Sequence, residues 1–213
     1  MKVIIKNLIP KPLMDVPDLD SQLWLIPSRT FLPLRKYLIY SQSGKGKSSL
    51  LSIIYGQRKD YNGDVEIDGR NIREYTKDDW VNIRRNKMSM VFQGLNLFDN
   101  LTVKENIMLK NKLTDYASES EVLSWLDTLE IKPLYSKRVG EISFGQKQRV
   151  ALVRALCQPF ELLMLDEPFS HIDSVNKKKA ELLIATAVSE QKASMILSSL
   201  NDNQDDDFEK YRI

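Results

Sequence analysis

Apolar positions along the chain fall into short runs and alternations separated by polar turns. Five segments predict strands. Residues 36–40 are rich in β-forming side chains and end against serine and glycine, residues 64–69 alternate and close on a turn, and residues 87–92, 162–165 and 194–198 are mostly apolar runs suited to buried strands. Helical periodicity lies between them, over 48–56, 119–130, 146–156 and 176–190. In the second of these helices Val122, Leu123, Leu126 and Leu129 share one face. Strands alternating with helices predict an α/β fold around a largely parallel sheet. The stretch 102–138 has helical patterns and no convincing strand, and reads as a helical lobe inserted into the α/β core.

Composition narrows the class. Of 213 residues, 42% are hydrophobic and 28% charged, the balance of a soluble globular domain. A net charge of +2 argues against a nucleic-acid-binding field. Cys157 is the only cysteine, which excludes an internal disulfide and a multi-cysteine metal site. At the N-terminus Lys6, Pro10 and Pro12 interrupt the apolar run, so it makes a poor secretory signal. The apolar run 162–165 stops at Asp166, and no stretch is long enough to cross a bilayer. The expectation is no direct membrane insertion; at a membrane, a second chain must hold the protein. The acidic run 205–207 reads as a solvated end.

Three motifs carry chemistry. The first is Ser41-Gln42-Ser43-Gly44-Lys45-Gly46-Lys47-Ser48, followed by Ser49, between a predicted strand and a predicted helix. That context suits a phosphate loop: backbone N–H groups and a helix N-terminus face an anion, Lys47 reaches the β- and γ-phosphates, and the Ser48 hydroxyl ligates Mg²⁺. Taken alone, it also reads as a flexible Gly/Ser turn. Ser41 stands where the first glycine of the pattern is usual, which costs strain if its φ is positive. Lys45 adds a second cation. The second motif is Asp166-Glu167 at the end of an apolar run. It reads as a magnesium carboxylate, Asp166, and a general base, Glu167, at the strand end where α/β ligands bind; taken alone, it reads equally as a solvated acidic turn. The third is Ile142-Ser143-Phe144-Gly145-Gln146 opening a basic helix, a turn rich in donors and equally a capped helix start.

Together these motifs resemble the ATP-binding cassette (ABC) family of transporter ATPases, over nearly the whole chain from the first strand to about Leu200. The resemblance implies a P-loop NTPase (RecA-like) parallel-sheet core with a small antiparallel β lobe and an inserted α-helical subdomain. It divides the chain into a nucleotide-binding core, 1–93 and 157–213, and a helical subdomain, 94–156. Its ligands would be ATP and Mg²⁺. Gln93 matches the family's Q-loop and would sense magnesium and the attacking water. Ser143, Gly145 and Gln146 match the signature, with Phe144 in place of its first glycine, and would contact ATP held by a second subunit. Ser170, Ile172 and Asp173 match the D-loop, which places Asp173 at the nucleotide interface. Leu95, Leu97, Phe98 and Leu101 serve either a membrane-subunit contact or the core of the lobe.

Two departures bear on turnover. Leu200 occupies the slot of the family's switch histidine, and the only histidine, His171, lies in the D-loop, where a structural role is expected. Trp24, upstream of the phosphate loop, is the positional candidate for stacking on adenine and reads equally as a packing residue. The stretch from Gln93 to Ser143 is too short for the coiled-coil insertion of chromosome-maintenance ATPases, and there is one cassette, not the translation-factor pair. The segment 91–107 looks like the lipoprotein-release and macrolide-export branch. The implied role is the ATPase subunit of a bacterial transporter, a homodimer at the inner face of the cell membrane bound to an integral permease. The competing reading is a weakly hydrolysing ATP switch that regulates a partner.

Overall fold

The computed structural model describes residues 1–17, 19–202 and 207–213. Along the chain, β1 (Val3–Pro10) and β2 (Arg29–Phe31) precede β3 (Lys36–Tyr40) and α1 (Lys47–Ile54). Then come β4 (Tyr61–Ile67), β5 (Arg70–Asn71), α2 (Lys77–Asn86) and β6 (Met88–Val91). Helices α3 (Val103–Asn111), α4 (Glu119–Thr128) and α5 (Phe144–Leu156) lead to β7 (Leu162–Asp166), α6 (Ser174–Glu190), β8 (Ser194–Ser199) and β9 (Phe208–Arg212). One sheet is parallel, in the order β6-β7-β8-β3-β9; the other is antiparallel, in the order β2-β1-β4-β5.

The parallel strands are apolar on both faces because both are covered. Their alternation splits the side chains between two cores. Leu38, Leu163, Leu165, Met195 and Leu197 pack with α3, α4, α5 and α6. Tyr37, Ile39, Leu162, Met164 and Ile196 pack with α1 and the antiparallel sheet. The helical lobe shares the first of these clusters with the sheet, so Val122 and Leu126 of α4 belong to the same core as Leu38. Capping boxes open each of its helices: Thr102 with Glu105, Ser118 with Glu121, and Ser143 with Gln146. Such a cap contributes about 1 kcal/mol.

The five predicted strands form, with ends shifted by a few residues. Five further elements, β1, β2, β5, α2 and β9, are not among the predicted segments. Helix α2 has no buried residue, so no apolar stripe announces it; its signal is the capping box of Thr76 and Asp79. The short strands β2 and β5 draw their order from neighbours in the antiparallel sheet. Strand β9 extends the parallel sheet beyond β3, so the chain end is paired structure. Of the acidic run 205–207, only Asp207 lies within the described residues, and it is exposed. Among the described residues no helix is long and apolar enough to cross a membrane.

The order β6-β7-β8-β3 has a direct consequence for chemistry. In a parallel sheet all strands end on the same edge, so the segments after β3, β6, β7 and β8 converge there. Those segments carry Ser41–Ser48, Gln93, Asp166-Glu167 and Leu200 respectively.

Candidate functional site

The phosphate-type loop runs from Ser41 to Gly46 and enters α1 at Lys47. Gly46 has φ 100°, and a Cβ there would meet Leu13 Cδ1 at 2.8 Å and Trp24 Cζ2 at 3.0 Å, so only glycine fits this turn. Ser41 is not among the residues of positive φ. The strain expected from its missing glycine therefore does not arise. Ser41 is buried, and its carbonyl accepts a hydrogen bond from Lys47 Nζ at 2.7 Å; the Gln42 carbonyl accepts a second at 3.2 Å. Trp24 is corrected from its sequence role: it is only 3% exposed, and its Nε1–H donates to the Lys45 carbonyl at 3.2 Å. It braces the loop from beneath and presents no free ring to a base.

Facing the loop, β7 ends in Asp166, and Glu167 follows with φ 46°. A left-handed glutamate costs of order 1 kcal/mol and marks a position held by its surroundings. Ser198 of β8 does the holding. Its hydroxyl donates to Asp166 Oδ1 at 2.7 Å and accepts from the Glu167 N–H at 2.9 Å, so one buried serine orients both acidic residues. Glu167 reaches the buried Lys47, with Nζ to Oε1 at 3.3 Å. Burial pushes the Asp166 carboxyl above the usual carboxylate range; hydrogen bonds from Ser198 and Ser48 and the charge of Lys47 work against that rise, while Glu167 adds to it. Ser48 also donates to Gln93 Oε1 at 3.4 Å.

Ser48, Asp166 and Gln93 thus bring three hard oxygen donors together, the set that suits Mg²⁺ when phosphate and water complete its shell. Among the described residues no cluster of three or more His, Cys, Asp or Glu offers an all-protein metal cage. Lys47, Ser48, Gln93 and Glu167 line a cleft of about 300 Å³ with Ser43, Gly44, Gly46 and Ser49. Pro10, Pro12, Leu13 and Arg58 also line it.

The other predicted residues lie elsewhere. Ser143 caps α5, donating its N–H to Gln146 Oε1 at 2.9 Å and accepting from the Gln146 N–H at 3.3 Å. A Cβ on Gly145 would come closer to the His171 carbonyl than the 3.0 Å that Cβ atoms keep, so the start of α5 lies directly on the turn after Glu167. Phe144 packs edge-on against His171, centroids 4.6 Å apart, and His171 Nδ1 is 2.9 Å from Ser170 Oγ. Both oxygens of Asp173 are engaged at the start of α6, by the N–H groups of Val175 and Asn176 and by the Asn176 amide. Within one chain, none of Ser143, Gly145, Gln146 and Asp173 lines the Lys47 cleft.

Sequence reasoning missed Ser198 and also Gln148. The Gln148 amide is buried; it donates to Ser170 Oγ at 2.9 Å and accepts from the His171 N–H at 3.0 Å, clamping the turn that carries Glu167. Both follow strand or signature residues by a short step, but neither has an unusual side chain to flag it. Leu200 is 52% exposed and lines a second hollow beside Glu167, with Ser198 and Ser199. Leu95 is core, Leu97 packs on that core, and Phe98 is exposed.

The chain is similar to known proteins in sequence and in fold. The chain is 34% identical over 164 residues to an uncharacterized ABC transporter ATP-binding protein, YvcR, of Bacillus subtilis, covering 75% of this chain and 62% of that one. It is 34% identical over 158 residues to the aliphatic sulfonates import ATP-binding protein SsuB of Bacillus cereus, covering 74% and 59%. The match thus spans about 60% of the length of these curated relatives. Among solved structures, a dimeric ATP-binding cassette in a post-hydrolysis state bound to ADP and Pi superposes with TM-score 0.76 at 25% identity, over 94% of this chain and 89% of that one. The fold is also that of a putative ABC transporter ATP-binding protein from Pyrococcus furiosus, with TM-score 0.77 at 24% identity over 99% and 97%. The profile of the ABC transporter family matches residues 29–170, more than half of the sequence, and the chain belongs to that family.

Proposed function

We propose that the chain is the ATP-hydrolysing subunit of a bacterial ABC transporter, powering a separate integral permease by ATP-driven closure of a homodimer at the inner face of the membrane. The observation that supports this most is the meeting of Lys47, Ser48, Gln93, Asp166 and Glu167 at one sheet edge. Residues 41–49 cradle the phosphates. Ser48, Asp166 and Gln93 would hold magnesium, which would supply neutralisation of charge on the phosphate oxygens. Lys47 now pairs with Glu167; an arriving γ-phosphate competes for that ammonium and releases Glu167 to accept a proton from the attacking water.

Residues 94–156 act as the helical subdomain on the core 1–93 and 157–213. Ser143, Gly145 and Gln146 meet the nucleotide of the second copy, and Asp173 shapes that surface by capping α6. Closure follows from tighter binding of ATP to the closed pair, and hydrolysis removes that bias. The exposed Phe98 shares a hollow with Leu109, Lys110 and Arg154, where a permease loop docks. The resemblance of segment 91–107 to the lipoprotein-release and macrolide-export branch belongs to the same proposal.

Leu200 favours a second reading, a weakly hydrolysing switch that regulates a partner. Its side chain cannot accept or donate a hydrogen bond where the family's histidine meets the γ-phosphate. The purified chain is expected to release phosphate slowly, and Leu200→His to raise that rate roughly tenfold or more. Vigorous wild-type turnover that Leu200→His leaves unchanged refutes slow hydrolysis. Purification from native membranes separates the two functions: a co-purifying multi-span protein supports transport, and recovery without one supports the switch.

A further inference from the structure

Arg58 follows α1 in the turn before β4 and belongs to none of the motifs. It nevertheless lines the same cleft as Lys47 and Ser48. Its Nη1 donates to Ser49 Oγ at 2.7 Å, and Asp60 holds its fork through Nε at 2.9 Å and Nη2 at 2.8 Å. The brace is itself anchored, because the Asp60 carbonyl accepts from the Lys11 N–H at 3.0 Å, joining Arg58 to the wall formed by Pro10, Pro12 and Leu13. A guanidinium has five N–H donors. Three are used by these contacts, which leaves two for a ligand.

We infer that Arg58 is a nucleotide-binding residue that contacts the phosphate nearest the ribose. The inference rests on the reading of the Lys47 cleft as a nucleotide site. The direction follows from what lies at each end. Lys47 and Glu167 mark the γ end, and the apolar wall of Pro10, Pro12 and Leu13 marks the base end. Arg58 is tied to that wall through Asp60 and the Lys11 N–H, and to Ser49 directly. No aromatic ring lines this cleft, and Trp24 is buried beneath the loop, so stacking contributes little to holding a base here. A preoriented guanidinium on the phosphate chain supplies affinity that a stacking ring otherwise provides.

The test titrates ATP, ADP and adenosine, each with Mg²⁺, into the wild-type chain and into Arg58→Ala, Arg58→Gln and Lys47→Ala. Arg58→Gln keeps a polar side chain with an amide donor but removes the charge, and a melting curve for each variant establishes that it is folded. Arg58→Ala and Arg58→Gln are expected to weaken ATP and ADP by a similar factor, about tenfold, and to lower the salt dependence of both affinities. Adenosine binding is expected to be unchanged. Unaltered ATP affinity in folded Arg58→Gln overturns the inference, as does an equal loss for adenosine. If Lys47→Ala weakens ATP while the Arg58 variants do not, only the role of Arg58 fails; if Lys47→Ala also has no effect, the nucleotide reading of the cleft fails with it.

Discussion

Glu167→Gln is expected to lower ATP hydrolysis by roughly 100-fold or more while ATP binding persists. The amide keeps the side chain's shape but cannot take a proton from water. It also removes a negative charge that lies 3.3 Å from the Lys47 ammonium and faces incoming phosphates. Lys47 is then free of its internal carboxylate, and ATP affinity is expected to hold or rise. If hydrolysis resets a closed dimer, the variant accumulates as a dimer in ATP, read as a shift in elution volume when nucleotide is added. Undiminished phosphate release by Glu167→Gln would remove Glu167 from the chemistry and move attention to the other groups around the γ end.

The second large effect is structural in origin. Gly145→Ala puts a Cβ against the His171 carbonyl, backbone against backbone, where neither side can swing away. Either the first turn of α5 or the turn after Glu167 must move. A cost of about 1–3 kcal/mol follows from such overpacking, or a fall in Tm of roughly 2–10 °C. Hydrolysis falls as well, because Gln148 ties the same turn to Ser170 and His171. Gly94→Ala is the control: an added Cβ meets nothing nearer than the Asn96 side chain at 3.8 Å, and the change is expected to stay within about 0.5 kcal/mol. Equal melting temperatures for the two variants would show that the contact between α5 and the 169–171 turn yields without cost.

The parts of the fold that could be read in advance are those in which a local pattern and tertiary packing agree. Residues 36–40, 162–165 and 194–198 are apolar because both faces of the parallel sheet are covered, and they appear as β3, β7 and β8. The phosphate loop is legible because Gly46, Lys47 and Ser48 have few substitutes for their tasks. Elements that draw order from neighbours were silent. Strand β9 is polar at Glu209, Lys210 and Arg212 and exists by pairing with β3. Helix α2 has no fully buried residue and meets the core only through the half-buried Trp80 and Ile83, too few to set a period.

At the site, sequence reading picks out Lys47, Ser48, Gln93, Asp166 and Glu167, which the fold brings together, and misses the residues that position them. Ser198 and Gln148 are ordinary residues whose importance comes from the carboxylates and carbonyls they reach across the fold. Trp24 went wrong for a related reason. Position along the chain placed it near the loop, but only the packing of Leu13, Trp24 and Gly46 shows that it lies beneath. At Ser41 the condition for strain, a positive φ, is not met.

The account stands on one claim above the others: the Lys47 cleft binds magnesium-ATP. Calorimetric titration of ATP into the purified chain, with and without Mg²⁺, tests it most directly when repeated on Lys47→Ala and Asp166→Asn. The wild-type chain is predicted to bind ATP more tightly with Mg²⁺ than without. Lys47→Ala should lose roughly 10- to 100-fold in affinity. Asp166→Asn should bind ATP with little response to the metal. Failure of the wild-type chain to bind ATP, or equal affinity in the wild type and a folded Lys47→Ala, would contradict the account.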